Sequence, residues 1–575
     1  MHNKRILRRS PLAAGLALAF SLAGCSDSSP VVTPLVSTPQ VLTGNFVGLS
    51  PEGLTYSTAT QQGTTGPSGS FQYESGETVT FALGGTPLGS TVAAPEVNVF
   101  DLVGLPDIPT GEAAINRASV TADNTGGFNA AARIVQVLLS FDADADSNNG
   151  VQILAQTATR LDPIDFRVLG VNAEYLFEDL KRTVRISVGA GEFAARVIPT
   201  QAEAIQVAYD TLGVSTGVQL PARVLYDENA DGVADDIDLA RFDSLGVNIE
   251  FSSDSDADGM PEFVETRQYF SPARASSFQR DANNDGVIDR STLYTYDEFG
   301  ELTREESDFD GRPGVDEIVT IQYNANGVLI RRERQSIATG TSLIQQFNTD
   351  SAGNRTEYLI DNEGDGLFER RDTFVYNEFR DWVRREIDDN NDGIVDLVLE
   401  RSFNSLGIQT LATTDSDADG VVDRRTEFVI GSDNRLARAI YDTDDDPEIE
   451  FTVEFRYNSD GFEIQRVTDR TGQNRSIITT NTTYDNNGNR VRVETDSTGD
   501  GQVNSVTMFG YDANGFLAEE SRDNEGDGVV DFRVAYTVNA AGVLTEERRD
   551  VGADGTLEAV NQFLELTDVH ATEWY

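Results

Sequence analysis

The chain has 575 residues, a formal charge of −52 and one cysteine. So acidic a surface repels phosphates and excludes a nucleic-acid partner, while a lone cysteine excludes a disulfide framework. The length predicts several domains.

Residues 1–24 open with Lys4, Arg5, Arg8 and Arg9 and continue into an apolar run from Leu12 to Leu22, a secretory leader too short to span a bilayer. The run ends in Leu22-Ala23-Gly24-Cys25, which resembles the lipobox of bacterial lipoproteins. The resemblance implies cleavage before Cys25 and acylation, by chains such as palmitate, of its sulfur and new amino group. Several acyl chains, at about 0.8 kcal/mol per buried CH₂, hold a protein on a membrane far more firmly than one. Ser26, by resemblance to the sorting pattern of such lipoproteins, implies the outer membrane, with the periplasmic and cell-surface faces both open. Residues 25–43, with Pro30, Pro34 and Pro39 among Ser, Thr and Val, read as the lipidated cysteine and a flexible tether.

Residues 44–112 alternate apolar and polar positions between Gly turns, as in GSFQYESGETVTFALGG (69–85), which predicts a small β-module. It resembles a module common near the N-termini of bacterial surface lipoproteins and adhesins. From 113 to 215 the spacing turns helical, in NAAARIVQVLLSF (129–141) and PTQAEAIQVAYDTLG (199–213). Between them DADADSNNG (142–150) offers Asp142, Asp144, Asp146 and Asn149 either to a cation or to a capped acidic turn.

Residues 216–575 repeat. An acidic loop, D-x-D/N-x-D-G-x-x-D/E, begins at Asp227, Asp254, Asp281, Asp308, Gln335, Asp361, Asp388, Asp415, Asp442, Asp469, Asp496, Asp523 and Asp550, thirteen units of 27 residues with one step of 26. A fixed period of this length marks a repeat architecture whose units complete one another's core. Calcium takes six to eight oxygens, and side chains at positions 1, 3 and 5 of a tight loop can converge on it, with a carbonyl from position 7 and an acid closing the site. Here the closing acid is at position 9, unlike the Glu at 12 of an EF-hand, so the loop looks like the shorter calcium loop that joins two strands in integrin-type propellers.

Seven copies carry the full set: Asp227, Asn229, Asp231, Asp235; Asp254, Asp256, Asp258, Glu262; Asp281, Asn283, Asp285, Asp289; Asp361, Glu363, Asp365, Glu369; Asp388, Asn390, Asp392, Asp396; Asp415, Asp417, Asp419, Asp423; and Asp523, Glu525, Asp527, Asp531. Four are partial, through Arg312, Pro447, Thr498 with Asn504, and Gly552, and the Gln335 and Asp469 copies have lost the pattern. The alternative is that all are solvated acidic turns. Bound calcium would partly cancel the self-repulsion of the chain.

Half a period away stand YDEFGEL (296–302), YNANGVL (323–329), YNSDG (457–461), YDNNG (484–488) and YDANGFL (511–517), in which Asp or Asn three residues before Gly predicts a type I turn with Gly left-handed. The unit is therefore strand, turn, strand, acidic loop. The pattern resembles the RHS/YD repeats of bacterial cell-surface and toxin-associated proteins, over roughly 227–560, and implies a coiled β-sheet; a calcium loop in each unit and no C-terminal toxin domain set this chain apart. The expected fold is mainly β, about 26 antiparallel strands in a meander that coils or wraps, with a β-propeller as the alternative.

His570 is the only histidine outside the leader, which disfavours Ser-His-Asp and Cys-His chemistry, and no catalytic residue is assigned. Trp382 and Trp574 are read as packing residues, with sugar stacking the alternative. The expected protein is a lipid-anchored, calcium-binding envelope repeat protein with a structural or adhesive role toward a glycan or surface protein. A polysaccharide-acting envelope enzyme and a plain assembly scaffold are the alternatives.

Overall fold

The computed structural model describes residues 40–119, 127–160, 171–378, 380–444, 448–470 and 476–575. The leader, Cys25 and the tether up to residue 39 lie outside the described residues. The chain divides into Met1–Gln40 and Val41–Tyr575, and the described helices and strands all belong to the second unit.

The β-module is two small sheets. Val41–Phe46 pairs antiparallel with Ser70–Glu74 and parallel with Glu96–Val97. A four-stranded sheet runs in the order Gln62–Thr64, Thr55–Ser57, Thr78–Leu83, Thr86–Val92. Within Thr78–Leu83 the period of two is visible in burial, since Val79, Phe81 and Leu83 are buried and the residues between them are not.

Helices follow: α1 (Val99–Leu102), α2 (Glu112–Ser119), α3 (Gly127–Ser140), α4 (Ala155–Ala158), α5 (Val171–Gly189) and α6 (Gln201–Leu212). Thr200 and Glu203 exchange hydrogen bonds as a capping box at the start of α6, and Gly213 ends it in the left-handed conformation. One core runs through sheets and helices, with Phe46, Phe71 and Phe81 joining Phe100, Phe128, Leu138 and Tyr209.

From Gln219 to Asp568, 26 strands form a closed antiparallel barrel in which sequence neighbours pair in turn and Ala559–Asp568 pairs back onto Gln219–Asp227. The antiparallel meander is as expected, but it closes into a barrel and is not a coiled sheet, and no propeller arrangement occurs among the described residues. Twist accumulates over so many strands, and closure removes both edges. A circumference of 26 strands at about 4.8 Å gives a ring roughly 40 Å across, too wide for side chains from opposite walls to meet. Burial agrees: most strand positions on both faces are partly exposed, as in Leu397–Phe403 and Phe451–Tyr457, which a collapsed sandwich would not allow.

Both faces carry charge. Arg304–Glu306 and Arg384–Glu386 pair along one face, while Arg280–Glu265 and Arg385–Asp372 pair across strands on the other, among aromatic rings such as Phe263 and Phe374.

The D-x-x-G turns line one margin of the ring. At Asp297–Gly300 the Asp297 carboxylate accepts the Phe299 and Glu301 N–H groups at 2.9 Å, and Gly300 sits at φ +81° before a register shift. Where a tyrosine ends the strand before a turn on this margin, it ties that turn to the preceding hairpin: Tyr269, Tyr296, Tyr323, Tyr376, Tyr457, Tyr484 and Tyr511 donate to the carbonyls of Asn248, Ala275, Leu302, Arg355, Leu436, Glu463 and Arg490 at 2.7–3.1 Å. The helical domain sits on this margin. Arg274 bonds Glu203 and the Ile198 carbonyl, Arg185 pairs with Asp297 and Lys181 with Glu301.

Candidate functional site

The acidic loops occupy the opposite margin. In each complete copy position 1 ends a strand and is buried: Asp227, Asp254, Asp281, Asp361, Asp388, Asp415 and Asp523 are 0–9 % exposed. An ionised carboxylate so placed needs donors, and the loop wraps back to supply them. The position-6 glycine donates its N–H to the position-1 Oδ2 at 2.8–2.9 Å in all seven. Position 9 (Asp235, Glu262, Asp289, Glu369, Asp396, Asp423, Asp531) accepts the N–H of position 2 at 2.5–2.9 Å. Position 5 (Asp231, Asp258, Asp285, Asp365, Asp392, Asp419, Asp527) accepts the N–H of position 7 at 2.8–2.9 Å. These bonds turn the carboxylates inward and use only part of their acceptor capacity, since each ionised carboxyl offers about four lone-pair sites.

Position 3 divides the loops into two kinds. Asn229, Asp256, Asn283, Asn390 and Asp417 accept the N–H of position 5 at 2.9–3.3 Å. In the loops with Gly at position 4, Asp361 Oδ1 and Asp523 Oδ1 instead take the N–H of Gly364 and Gly526 at 2.6 Å, leaving Glu363 and Glu525 at the rim. Position 4 is left-handed in both kinds: Ala230, Ala257, Asn284, Asn391 and Ala418 lie at φ +51° to +55°, and Gly364 and Gly526 at +72° and +69°. The restriction of position 4 to Ala, Asn and Gly is a sequence signal for this conformation that the spacing of the acids alone does not carry.

Carboxylate oxygens lie within 4.8 Å of one another in Asp254–Asp256–Glu262, Asp361–Asp365–Glu369 and Asp415–Asp417–Asp423. The same holds in two loops classed as partial, Asp308–Asp310–Asp316 and Asp442–Asp444–Glu450. At Asp308 the substituted Arg312 pairs with Asp310 at 3.3 Å, a tethered cation in the loop. Asp415 Oδ1, Asp442 Oδ1 and Asp550 Oδ1 are buried with no hydrogen-bond partner. In the Asp442 loop position 6 is Pro447, which has no N–H to give. Buried carboxylate oxygens left open in this way are ones that could hold a hard cation.

Charge in the loops moves pKa values both ways. Burial pushes the Asp361 carboxyl up, but the N–H groups of Gly366, Gly364, Glu363 and Asp365 outweigh it and hold it below the usual carboxylate range. Glu525 is raised, first by the hydrogen bond it must share with Asp531 and then by the charge of that group.

The 142–150 segment is a capped acidic turn. Asp146 accepts the Asn148 N–H, Asp144 the Asp146 N–H and the Asn149 amide, and Asp142 Oδ1 the Gln152 N–H. Asp142 Oδ2 is buried without a partner, and desolvation pushes its carboxyl up despite the charge of Arg196. Trp382 stacks under Arg401 at 3.6 Å, and Trp574 packs at 6.2 Å from Phe128. Several cavities open on the other margin, and one lies against the β-module. The one between α2 and the hairpin turns, about 600 Å³, is lined by Phe462, Tyr511, Phe516 and Tyr536 with Arg117 and Asn487.

No family model and no curated protein matches the chain. Among solved structures, a TcdB2–TccC3 complex is similar over 54 % of this chain and 18 % of its own, at 12 % identity and TM-score 0.25. The Photorhabdus luminescens Tc holotoxin pore with a TccC3 mutation is similar over 54 % and 17 %, at 13 % identity and TM-score 0.25. A porin-like protein from Bacteroides uniformis is similar over 52 % and 93 %, at 10 % identity and TM-score 0.17. The chain thus spans under a fifth of the length of those toxin chains.

Proposed function

We propose that this is a calcium-binding repeat protein of a bacterial envelope, held at the outer membrane through a lipid on Cys25, whose ring presents a structural or adhesive surface to a glycan or surface protein. The observation that carries it is the recurrence, along one margin of a closed ring, of inward-turned carboxylates at loop positions 1, 5 and 9, joined in five of the seven complete loops by an Asn or Asp oxygen at position 3. Affinity per loop is expected at about 10⁻⁴–10⁻³ M, as in extracellular modules, because the loops already satisfy much of their own charge with backbone donors. The YD-type turn with its tyrosine supports the proposed kinship with RHS/YD repeats.

The ring itself is not built to cross a bilayer with its strands. A membrane barrel needs strands of about 9–11 residues and an outward apolar band, whereas most strands here have seven residues and both faces bear ion pairs. Anchoring in this reading is through the proposed lipid and not through spanning strands.

Calcium titration of the full mature chain by calorimetry, with thermal melting of the same samples, tests the proposal. Several sites filling together with a rise in melting temperature is the expected result. No heat at millimolar calcium would reduce the loops to solvated turns.

A further inference from the structure

Position 7 of the acidic loop supplies only a carbonyl to a bound cation, so its side chain is free to vary, yet in the seven complete loops it is always apolar. Val233, Met260, Val287, Leu367, Ile394, Val421 and Val529 stand there, and they are 58–70 % exposed. In the six degraded loops the same position holds Gly314, Thr341, Glu448, Arg475, Gln502 and Thr556. An exposed apolar side chain thus accompanies each full ligand set and is lost with it. Packing does not explain the choice, because these side chains touch too little to be selected by the ring's interior.

We propose that this margin docks on an anionic lipid surface when its loops hold calcium. The proposal rests on the reading of the loops as calcium sites. Bare, the margin repels anionic headgroups. Calcium accepts up to about eight oxygens, so an ion held by the carboxylates and position-7 carbonyl of one loop would keep room for lipid phosphate oxygens and would turn repulsion into attraction. The apolar side chain beside each ion then enters the headgroup boundary.

Spacing favours lipid over protein. Successive loops lie two strands apart, about 10 Å along the margin, so the apolar tips are separated by acid and form no continuous dry patch of the kind a protein interface buries at its centre. A bilayer takes up each tip independently. The complete loops fall in two runs of three, Asp227 to Asp281 and Asp361 to Asp415, with Asp523 apart, so the apolar tips are spread round the circle and can rest on a flat surface together.

The test is sedimentation of the full mature chain, carrying Cys25→Ser so that no acyl chain contributes, with vesicles of phosphatidylglycerol and phosphatidylethanolamine in millimolar calcium. Binding is expected, with loss in chelator and on vesicles of phosphatidylcholine alone. The variant Leu367→Ser/Ile394→Ser/Val421→Ser, exposed positions that leave the ring intact, should bind about tenfold more weakly or worse with an unchanged calcium titration. Equal binding by this variant, or no binding by a chain that takes up calcium normally, overturns the inference and leaves the calcium reading standing. Calcium-dependent pairing of rings without vesicles, abolished by the same variant, overturns it in favour of a second copy. A chain that takes up no calcium loses both.

Discussion

At the scale of single residues, the loops and turns are set by left-handed positions and by the donors that follow them. Gly526 lies at φ +69°, and a Cβ there would stand 2.1 Å from the Val503 carbonyl oxygen, so Gly526→Ala meets both backbone strain and a hard collision. It is expected to lower the melting temperature clearly, by an effect of about 2 kcal/mol or more. Ala418 already bears the strain at φ +54°, and Ala418→Gly should gain up to about 1 kcal/mol from its relief. Equal effects of the two substitutions would contradict the division of the loops into two kinds. Tyr511→Phe leaves the Arg490 carbonyl without its 2.9 Å donor and should cost about 1 kcal/mol, read as faster hydrogen exchange in the two hairpins it joins. The tyrosine and the turn glycine were legible as a motif. The carbonyl it reaches 21 residues back was not, because nothing in a 27-residue period says which way a hairpin leans.

At the scale of the element, protons and a cation compete for the same oxygens, and the two Gly-containing loops answer pH in opposite senses. Asp361 is held below the usual carboxylate range, so its contribution to stability is present above the unfolded value near 3.9 and is lost as pH falls through the depressed one. Glu525 is raised by its shared hydrogen bond with Asp531, so the bare pair is relieved as pH falls through the raised value and is unfavourable above it. In chelator at neutral pH, Glu525→Gln is therefore expected to raise the melting temperature. At about pH 4, where the wild-type group is itself protonated, the gain should vanish. With calcium at neutral pH the gain should shrink or reverse, because the variant has lost a negative charge beside the cation while keeping an amide oxygen. A variant that melts lower than wild type in chelator would show that Glu525 serves the bare loop. Ligand identity was readable from spacing alone, whereas the exchange of position 3 for backbone donors in the Asp361 and Asp523 loops needed the left-handed glycine at position 4, which pulls the chain across the buried carboxylate.

At the scale of the whole molecule, the number of strands followed from counting loops and turns, but closure did not. Every hairpin pairs with its sequence neighbour, so local patterning is identical in an open sheet and a ring. What differs is one seam, where Gln219–Asp227 meets Ala559–Asp568 across more than three hundred residues of chain. Bringing such distant ends together costs loop entropy that grows only slowly with length, and the seam has a lock beyond its ladder. Past the last strand the Val569 N–H bonds the Val218 carbonyl at 3.2 Å and the His570 N–H the Gly246 carbonyl at 3.0 Å. The Ala571 N–H bonds the Gln206 side chain at 2.9 Å, while Tyr575 reaches Asn129 and Gln201. Val569 and Ala571 are buried in the core of the helical domain. The tail therefore fastens the last strand to the domain that precedes the first. Truncation after Asp568 should leave the interior of the ring folded and loosen the seam. Hydrogen exchange is expected to quicken in 219–227 and 559–568 and to stay unchanged across 397–415, half a ring away. Quickening spread evenly over the strands would mean that the ring stands or falls as one cooperative unit, and unchanged exchange at the seam would mean that the strand ladder closes the ring without the tail.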